Sequence, residues 1–108
     1  MKILVIDDNQ DLLDICEIAL TSDGHEYTGV NNGKESVHML KDGKYDLALL
    51  DLSMPDFSGV NVVDALVEAG IINKQKVIVL TASSVTEKEY GSLLEKGVHS
   101  ILKKPIGI

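Results

Sequence analysis

Apolar and polar positions along this chain alternate between two periods. Ile3 to Ile6 is an unbroken apolar run that stops at Asp7-Asp8-Asn9, and Leu47 to Leu50 stops in the same way at Asp51. Short apolar runs bounded by turn residues suit strands buried on both faces, as in a parallel sheet covered by helices. Val77 to Leu80 is a further run, apolar at every position, and Ser100 to Leu102 reads as a short fifth strand. Glu26 to Val30 is more polar and reads as an edge strand. Between these runs the spacing becomes helical. Leu12, Ile15, Cys16 and Ala19 fall on one face of a first helix with Gly24 beyond its end, and Val37 and Leu40 point inward from a second that Gly43 closes. Val60, Val63, Leu66 and Val67 mark a third helix capped by Ser58 and closed by Gly70. Asn32 to Glu35 and Ser84 to Glu87 resemble capping boxes, the latter opening a fourth helix that Gly97 ends.

Five strands and four helices in strict alternation imply parallel strands with right-handed helical crossovers. The expected fold is α/β, a doubly wound five-stranded parallel sheet of flavodoxin-like type, although strand order is not readable from periodicity. A length of 108 residues fits one domain. The formal charge of −7 and the lack of a basic stripe exclude a nucleic-acid surface. The opening Lys2 to Ile6 is too short for a signal-peptide apolar region, and no run approaches membrane-spanning length. Cys16 is the single cysteine, so no internal disulfide forms and a reducing cytoplasm is the expected compartment.

Parallel strands bring their carboxyl ends to one rim, where open α/β sheets bind ligands. Strand one ends there in Asp7-Asp8, strand three in Asp51, strand four in Thr81-Ala82-Ser83 and strand five in Lys104-Pro105. Gathered carboxylates repel, by about 4 kcal/mol for a pair 4 Å apart at an effective dielectric of 20, unless a cation lies among them. Hard oxygen donors without Cys or His suit a magnesium-type ion. A phosphoryl group at this rim would meet a metal ion, the Lys104 ammonium and the Thr81 hydroxyl, the elements that stabilise charge in phosphoryl transfer. Asp56 reads as a turn residue, Lys103 as a solvated neighbour and Cys16 as core. His25, His38 and His99 share no metal-ligand spacing.

From Lys2 to Pro105 the chain resembles the receiver domain of two-component response regulators. The likeness is carried by Asp7-Asp8, by Asp51 followed by Met54-Pro55-Asp56 and Gly59, by Thr81-Ala82 and by Lys104-Pro105. The resemblance implies that residues 1–108 form one receiver domain and that Asp51 is the phosphoacceptor, attacking the phosphohistidine of a sensor histidine kinase or phosphotransfer protein. It also implies that Asp8, Asp51 and the backbone carbonyl of Ser53 bind Mg2+, with Asp7 acting through a coordinated water. Thr81 and Lys104 would hold phosphoryl oxygens, and the Lys104–Pro105 bond would be cis. A downstream protein target would read the phosphorylated state, with no direct role for nucleic acid or membrane.

Two departures stand out. Ile101 occupies the position where the family carries a switching aromatic, and only Ile106-Gly107-Ile108 follow Pro105, so the usual fifth helix is expected to be lacking. The face left open would favour a homodimer. Among other functions, a haloacid-dehalogenase-type phosphatase needs a D-x-D motif after strand one, and a flavin carrier needs a hydroxyl-rich loop where Asp7-Asp8 would repel phosphate. An unphosphorylated pseudo-receiver, acting as a docking or dimerisation module, would be expected to have lost Asp51, the acidic pair or Lys104. All are present.

Overall fold

The computed structural model describes residues 1–82 and 85–104. In chain order its elements are β1 (Lys2–Ile6), α1 (Gln10–Ser22), β2 (Glu26–Val30), α2 (Gly33–Lys41), β3 (Leu47–Asp51), α3 (Gly59–Glu68), β4 (Val77–Thr81), α4 (Glu87–Lys96) and β5 (Ser100–Lys103). All strands are parallel, in the order β2-β1-β3-β4-β5. This is the flavodoxin-like doubly wound sheet, with four helices among the described residues. The chain runs outward from β1 to one edge at β2, then returns through β3 to the other edge at β5. The reversal leaves β1 and β3 adjacent, with Ile6 level with Leu50, so the loops that follow them share the rim.

Side chains alternate across each strand, and two clusters result. Leu4, Ile6, Leu50, Val77 and Val79 pack with Val37 and Leu40 of α2, Val62, Val63 and Leu66 of α3, and Leu93 of α4. On the opposite face Ile3 and Val5 pack with Leu13 and Cys16 of α1. Cys16 is therefore core, as expected. Ile15 is not: it is 57% exposed, and the inward side of α1 is Leu13 and Cys16. The apolar sector of α1 is wider than the side it buries, so periodicity alone misplaces Ile15.

The helix caps are mostly those the sequence predicts. Asn32 accepts a hydrogen bond from the Glu35 N–H, and Ser58 from the Asn61 N–H. For α4 the reciprocal box lies two residues later than expected, at Thr86 and Glu89. Ser84 lies outside the described residues, as do Ser83, the Lys104–Pro105 bond and residues 106–108. Gly97 ends α4 at φ 117, a left-handed conformation that favours glycine.

Gly59 opens α3 for a different reason. A Cβ there would lie 2.5 Å from the Asp51 carbonyl oxygen and 2.8 Å from Leu52 Cα. Both are backbone atoms, and the Gly59 N–H donates to the Leu52 carbonyl across the same gap. The start of α3 is thus pressed against the strand end that carries Asp51. Gly59→Ala should cost about 1–3 kcal/mol through this overpacking. Urea denaturation should show a lower midpoint at unchanged slope, and an unchanged midpoint would mean that the contact yields freely.

Candidate metal and phosphoryl site

Each rim residue is placed by an element whose formation is local. β1 delivers Asp7, whose N–H donates to the Val30 carbonyl at 3.0 Å, extending the pairing of β1 with β2 by one residue. β3 delivers Asp51 as its last residue, level with Leu80 of β4. The Leu52 N–H donates to the Leu80 carbonyl, and Met54 is buried beneath the loop. The loop then turns at Asp56, the one non-glycine residue at positive φ among those described. That supports its reading as a turn residue. β4 ends in Thr81, level with Lys103, and the Lys104 N–H donates to the Thr81 carbonyl at 2.7 Å. One more residue of pairing therefore turns the Lys104 side chain toward the carboxylates.

The structure brings Asp7, Asp8, Asp51 and Lys104 together. One carboxylate oxygen from each aspartate lies within 4.8 Å of the others, and among the described residues this is the one group of its kind. Asp7 and Asp51 are buried, at 0% and 3% exposure, while Asp8 is open to solvent. Lys104 Nζ donates to Asp7 Oδ2 at 2.7 Å and to Asp51 Oδ1 at 3.4 Å. The first contact is a full charge-assisted hydrogen bond and the second is long, so the ammonium belongs mainly to Asp7. The Asn9 N–H donates to Asp7 Oδ1 and the Ser53 N–H to Asp51 Oδ1. Thr81 is buried at the same rim.

The electrostatics follow from this arrangement. Burial pushes the Asp51 carboxyl above its usual range and the Asp7 charge adds to the effect, with Lys104 and the Ser53 N–H pulling the other way. For Lys104, burial alone would lower the ammonium. The hydrogen bond and charge of Asp7, then those of Asp51, outweigh it and raise the value. Burial likewise pushes the Cys16 thiol up, which leaves it an inert core residue.

The donor set fits a hard divalent cation. Asp8 and Asp51 offer carboxylate oxygens and the chain can add carbonyls, with no Cys or His in the group. Both oxygens of Asp7 already have partners, Asn9 on one and Lys104 on the other. That favours an indirect role for Asp7. Asn9 is a residue that sequence reasoning passed over. Its side chain caps α1 by accepting from the Leu12 N–H, while its own N–H holds Asp7. An Asn directly before a helical pattern was the available signal. Ile101 is partly buried and packs against the larger cluster, with no aromatic ring beside it in β5. His25, His38 and His99 stand outside the acidic group, and no described helix is long and apolar enough to cross a membrane.

Comparison with known proteins agrees with this geometry. The family profile described as "Response regulator receiver domain" matches residues 3–108. The transcriptional regulatory protein PcoR of Escherichia coli is 32% identical over 105 residues, covering 96% of this chain and 45% of that protein. Response regulator SaeR of Staphylococcus aureus is 31% identical over 107 residues, covering 95% of this chain and 43% of its own length. The chain thus spans less than half of these curated relatives. Among solved structures, the receiver domain of Francisella response regulator 1452 superposes with a TM-score of 0.86 at 28% identity, covering 98% of this chain and 85% of that one. The response regulator TrrA of Thermotoga maritima, solved in complex with Mg2+-BeF, gives 0.82 at 28% identity, covering 98% and 88%.

Proposed function

Since this chain belongs to the response-regulator receiver family, we propose that residues 1–108 act as a phosphoacceptor domain, with Asp51 as the group that takes the phosphoryl. The observation that carries this reading is the meeting of Asp7, Asp8, Asp51 and Lys104 at the carboxyl ends of three strands that are distant in sequence. In the transfer, one Asp51 carboxylate oxygen forms a bond to phosphorus. The P–N bond of a partner's phosphohistidine breaks, and its electron pair returns to the imidazole nitrogen. With acetyl phosphate as donor the breaking bond is P–O and acetate leaves. The product is an aspartyl phosphate. The natural donor is a sensor histidine kinase or a phosphotransfer protein, and the output is a changed contact with a downstream protein.

Asp8, Asp51 and the Ser53 backbone carbonyl would hold Mg2+, with Asp7 behind them. When bound, the ion neutralises charge on the phosphoryl oxygens. The residues of the chain supply the rest. The Lys104 ammonium, resting 2.7 Å from Asp7 and 3.4 Å from Asp51, is placed to exchange Asp7 for a phosphoryl oxygen on Asp51. The Thr81 hydroxyl would serve a second phosphoryl oxygen. Burial of Asp51 restricts water at the acyl phosphate. Without an aromatic at Ile101, the conformational response would run through Lys104, Thr81 and the loops that carry them. A cytoplasmic location fits a domain with one buried, unpaired cysteine. Self-association through the sheet face opposite α2–α4 would be a further mode of output.

The test is chemical. Incubation with acetyl phosphate and magnesium should add one acid-stable, base-labile phosphoryl group, and peptide mapping should place it on Asp51. A label on Ser53 would overturn the assignment to Asp51, and no label at all would favour the unphosphorylated docking module. Magnesium binding has its own readout. Ion at tenfold over its dissociation constant should stabilise the fold by about 1.4 kcal/mol through linkage. Asp8→Ala, at an exposed position, should remove most of that rise in melting temperature. Equal shifts in the two proteins would remove Asp8 from the site.

A further inference from the structure

Leu52 to Ser58 carry the chain from β3 to α3. The ends of this loop are fixed, since the Leu52 N–H donates to the Leu80 carbonyl at 2.9 Å and the Gly59 N–H to the Leu52 carbonyl at 3.0 Å. Between them the chain makes a tight turn. The Phe57 N–H donates to the Pro55 carbonyl at 2.6 Å, across Asp56 at φ 65. A hydrogen bond that spans one residue at positive φ has the form of the rarer, strained γ-turn. Pro55 and Asp56 are exposed, so burial does not hold them. Such a turn persists where its surroundings impose it. Met54, buried beneath the loop, holds the chain ahead of the turn, and Phe57 holds it after.

Phe57 sits on the first residue of α2. A Cβ at Gly33 would lie 2.6 Å from the Phe57 carbonyl oxygen and 2.9 Å from Cδ2 of its ring. Gly33 is buried and is not among the glycines at positive φ, so it stands there for space and not for a turn. Its own backbone is fixed from the other side. Asn32 caps α2 on the Glu35 N–H, the Ser36 N–H donates to the Asn32 carbonyl at 3.1 Å, and Ser36 Oγ donates to the Gly33 carbonyl at 2.6 Å. Of the two partners, the helix start is the firm one and the loop is the one that yields. The nearest atom is a backbone carbonyl, so a new rotamer of Phe57 does not relieve the clash. An added methyl pushes Phe57 outward, and its hydrogen bond to Pro55 carries the shift back to Met54 and Ser53. Ser53 is exposed, and its long N–H contact of 3.3 Å to Asp51 Oδ1 holds it only lightly.

We propose that Gly33 and Phe57 are positioning residues for the metal and phosphoryl site: the start of α2 buttresses the loop after Asp51 and so sets where the Ser53 carbonyl stands. The proposal rests on the reading of Asp51 and Ser53 given above. Neither Gly33 nor Phe57 belongs to the acidic group, and both act through the loop.

Magnesium alone is the first probe, titrated by calorimetry into the intact chain and into variants that circular dichroism shows to be folded. Gly33→Ala should weaken binding about tenfold, the low end of what outer partners of a metal site cost. Phe57→Ala should weaken it in the same direction, and Phe57→Leu, which keeps an apolar side chain on Gly33, should restore it to within about twofold of the parent. Gly33→Ala combined with Phe57→Ala should lose less than the two single losses together, because both act through one contact. Ile72→Val, a buried change ahead of β4 at the other end of the sheet, should lower the melting temperature and leave magnesium binding unchanged. The metal-free readout is N–H correlation NMR, in which Gly33→Ala should move the Ser53 and Asp51 signals and Ile72→Val should not. Parent-like magnesium affinity in Gly33→Ala, a loss matched by Ile72→Val, or an unmoved Ser53 signal overturns the proposal. Should Gly33→Ala fail to fold, equal affinity in Phe57→Ala and Phe57→Leu overturns it. When those results accompany an intact chain that still takes label on Asp51, the buttress falls and the acceptor assignment stands. An intact chain that binds no magnesium and takes no label removes both.

Discussion

An Asp51→Asn chain takes up no phosphoryl group from acetyl phosphate and, in metal-free buffer near neutral pH, unfolds at a higher temperature than the parent. The first effect is complete because the amide has no nucleophilic carboxylate, while Asp7 is sealed between Asn9 and Lys104 and cannot stand in. The second follows from the cost of keeping Asp51 ionised. Burial first, and then the Asp7 charge, hold its carboxyl above the usual range. A carboxyl raised on folding contributes stability below its unfolded value and loses it as pH rises through the folded value. The gain from asparagine should therefore be small near pH 4 and grow toward neutrality. Lys104 already offsets most of the repulsion, so a gain on the order of 1 kcal/mol is expected, about 4–8 °C in melting temperature for a domain of this size. A destabilised Asp51→Asn chain, or one that still takes label, would overturn the placement of Asp51.

Removal of Lys104 should do the reverse. Lys104→Ala is expected to cost about 3–5 kcal/mol in metal-free buffer, because it strands two buried carboxylates without their cation. The outcome depends on Asp7, which is 0% exposed and receives the shorter of the two ammonium contacts. Magnesium should recover more stability in Lys104→Ala than in the parent, since the ion then replaces the only positive charge paired with these carboxylates among the described residues. Asp51→Asn placed in the Lys104→Ala background should restore part of the loss, a non-additivity that reports direct coupling. The lysine also has a pH signature. Its folded value is raised above the unfolded one, so its contribution is present below about pH 10 and lost as pH rises through the folded value. Lys104→Ala should flatten that alkaline limb. A loss below about 1 kcal/mol, with the limb unchanged, would mean that the contact is a solvated surface pair.

The strand framework was legible because apolar runs such as Leu47 to Leu50 end abruptly in charge, and that boundary is set by local chemistry. The candidate site was legible for the same reason: Asp7, Asp51, Thr81 and Lys104 each mark a strand end, and parallel pairing gathers strand ends. Strand order was not, because periodicity tells which residues are buried and not which strand lies alongside. The cap of α4 slipped because Ser84-Val85-Thr86-Glu87 and Thr86-Glu87-Lys88-Glu89 are overlapping versions of one pattern, and tertiary packing chooses between them. Ile15 misled because α1 has more apolar surface than its own sheet contact uses. The partner of Lys104 was hidden as well. Whether an ammonium among three carboxylates favours Asp7 or Asp51 is decided by small distances that composition does not encode.

The Lys104 ammonium lies 97 residues along the chain from Asp7 and 53 from Asp51. Loops of that length close late in folding, after shorter-range contacts have offset their entropy. On a ribosome, β1 and β3 emerge and can pair while β5 is still unmade. Until then the pocket has its acids and no base. A receiver caught at that stage would present a repulsive, lysine-free rim to any phosphodonor and would be a poor acceptor. Charge balance at this rim thereby waits on β5, the most C-terminal strand among the described residues, although two of its three acids are placed by β1.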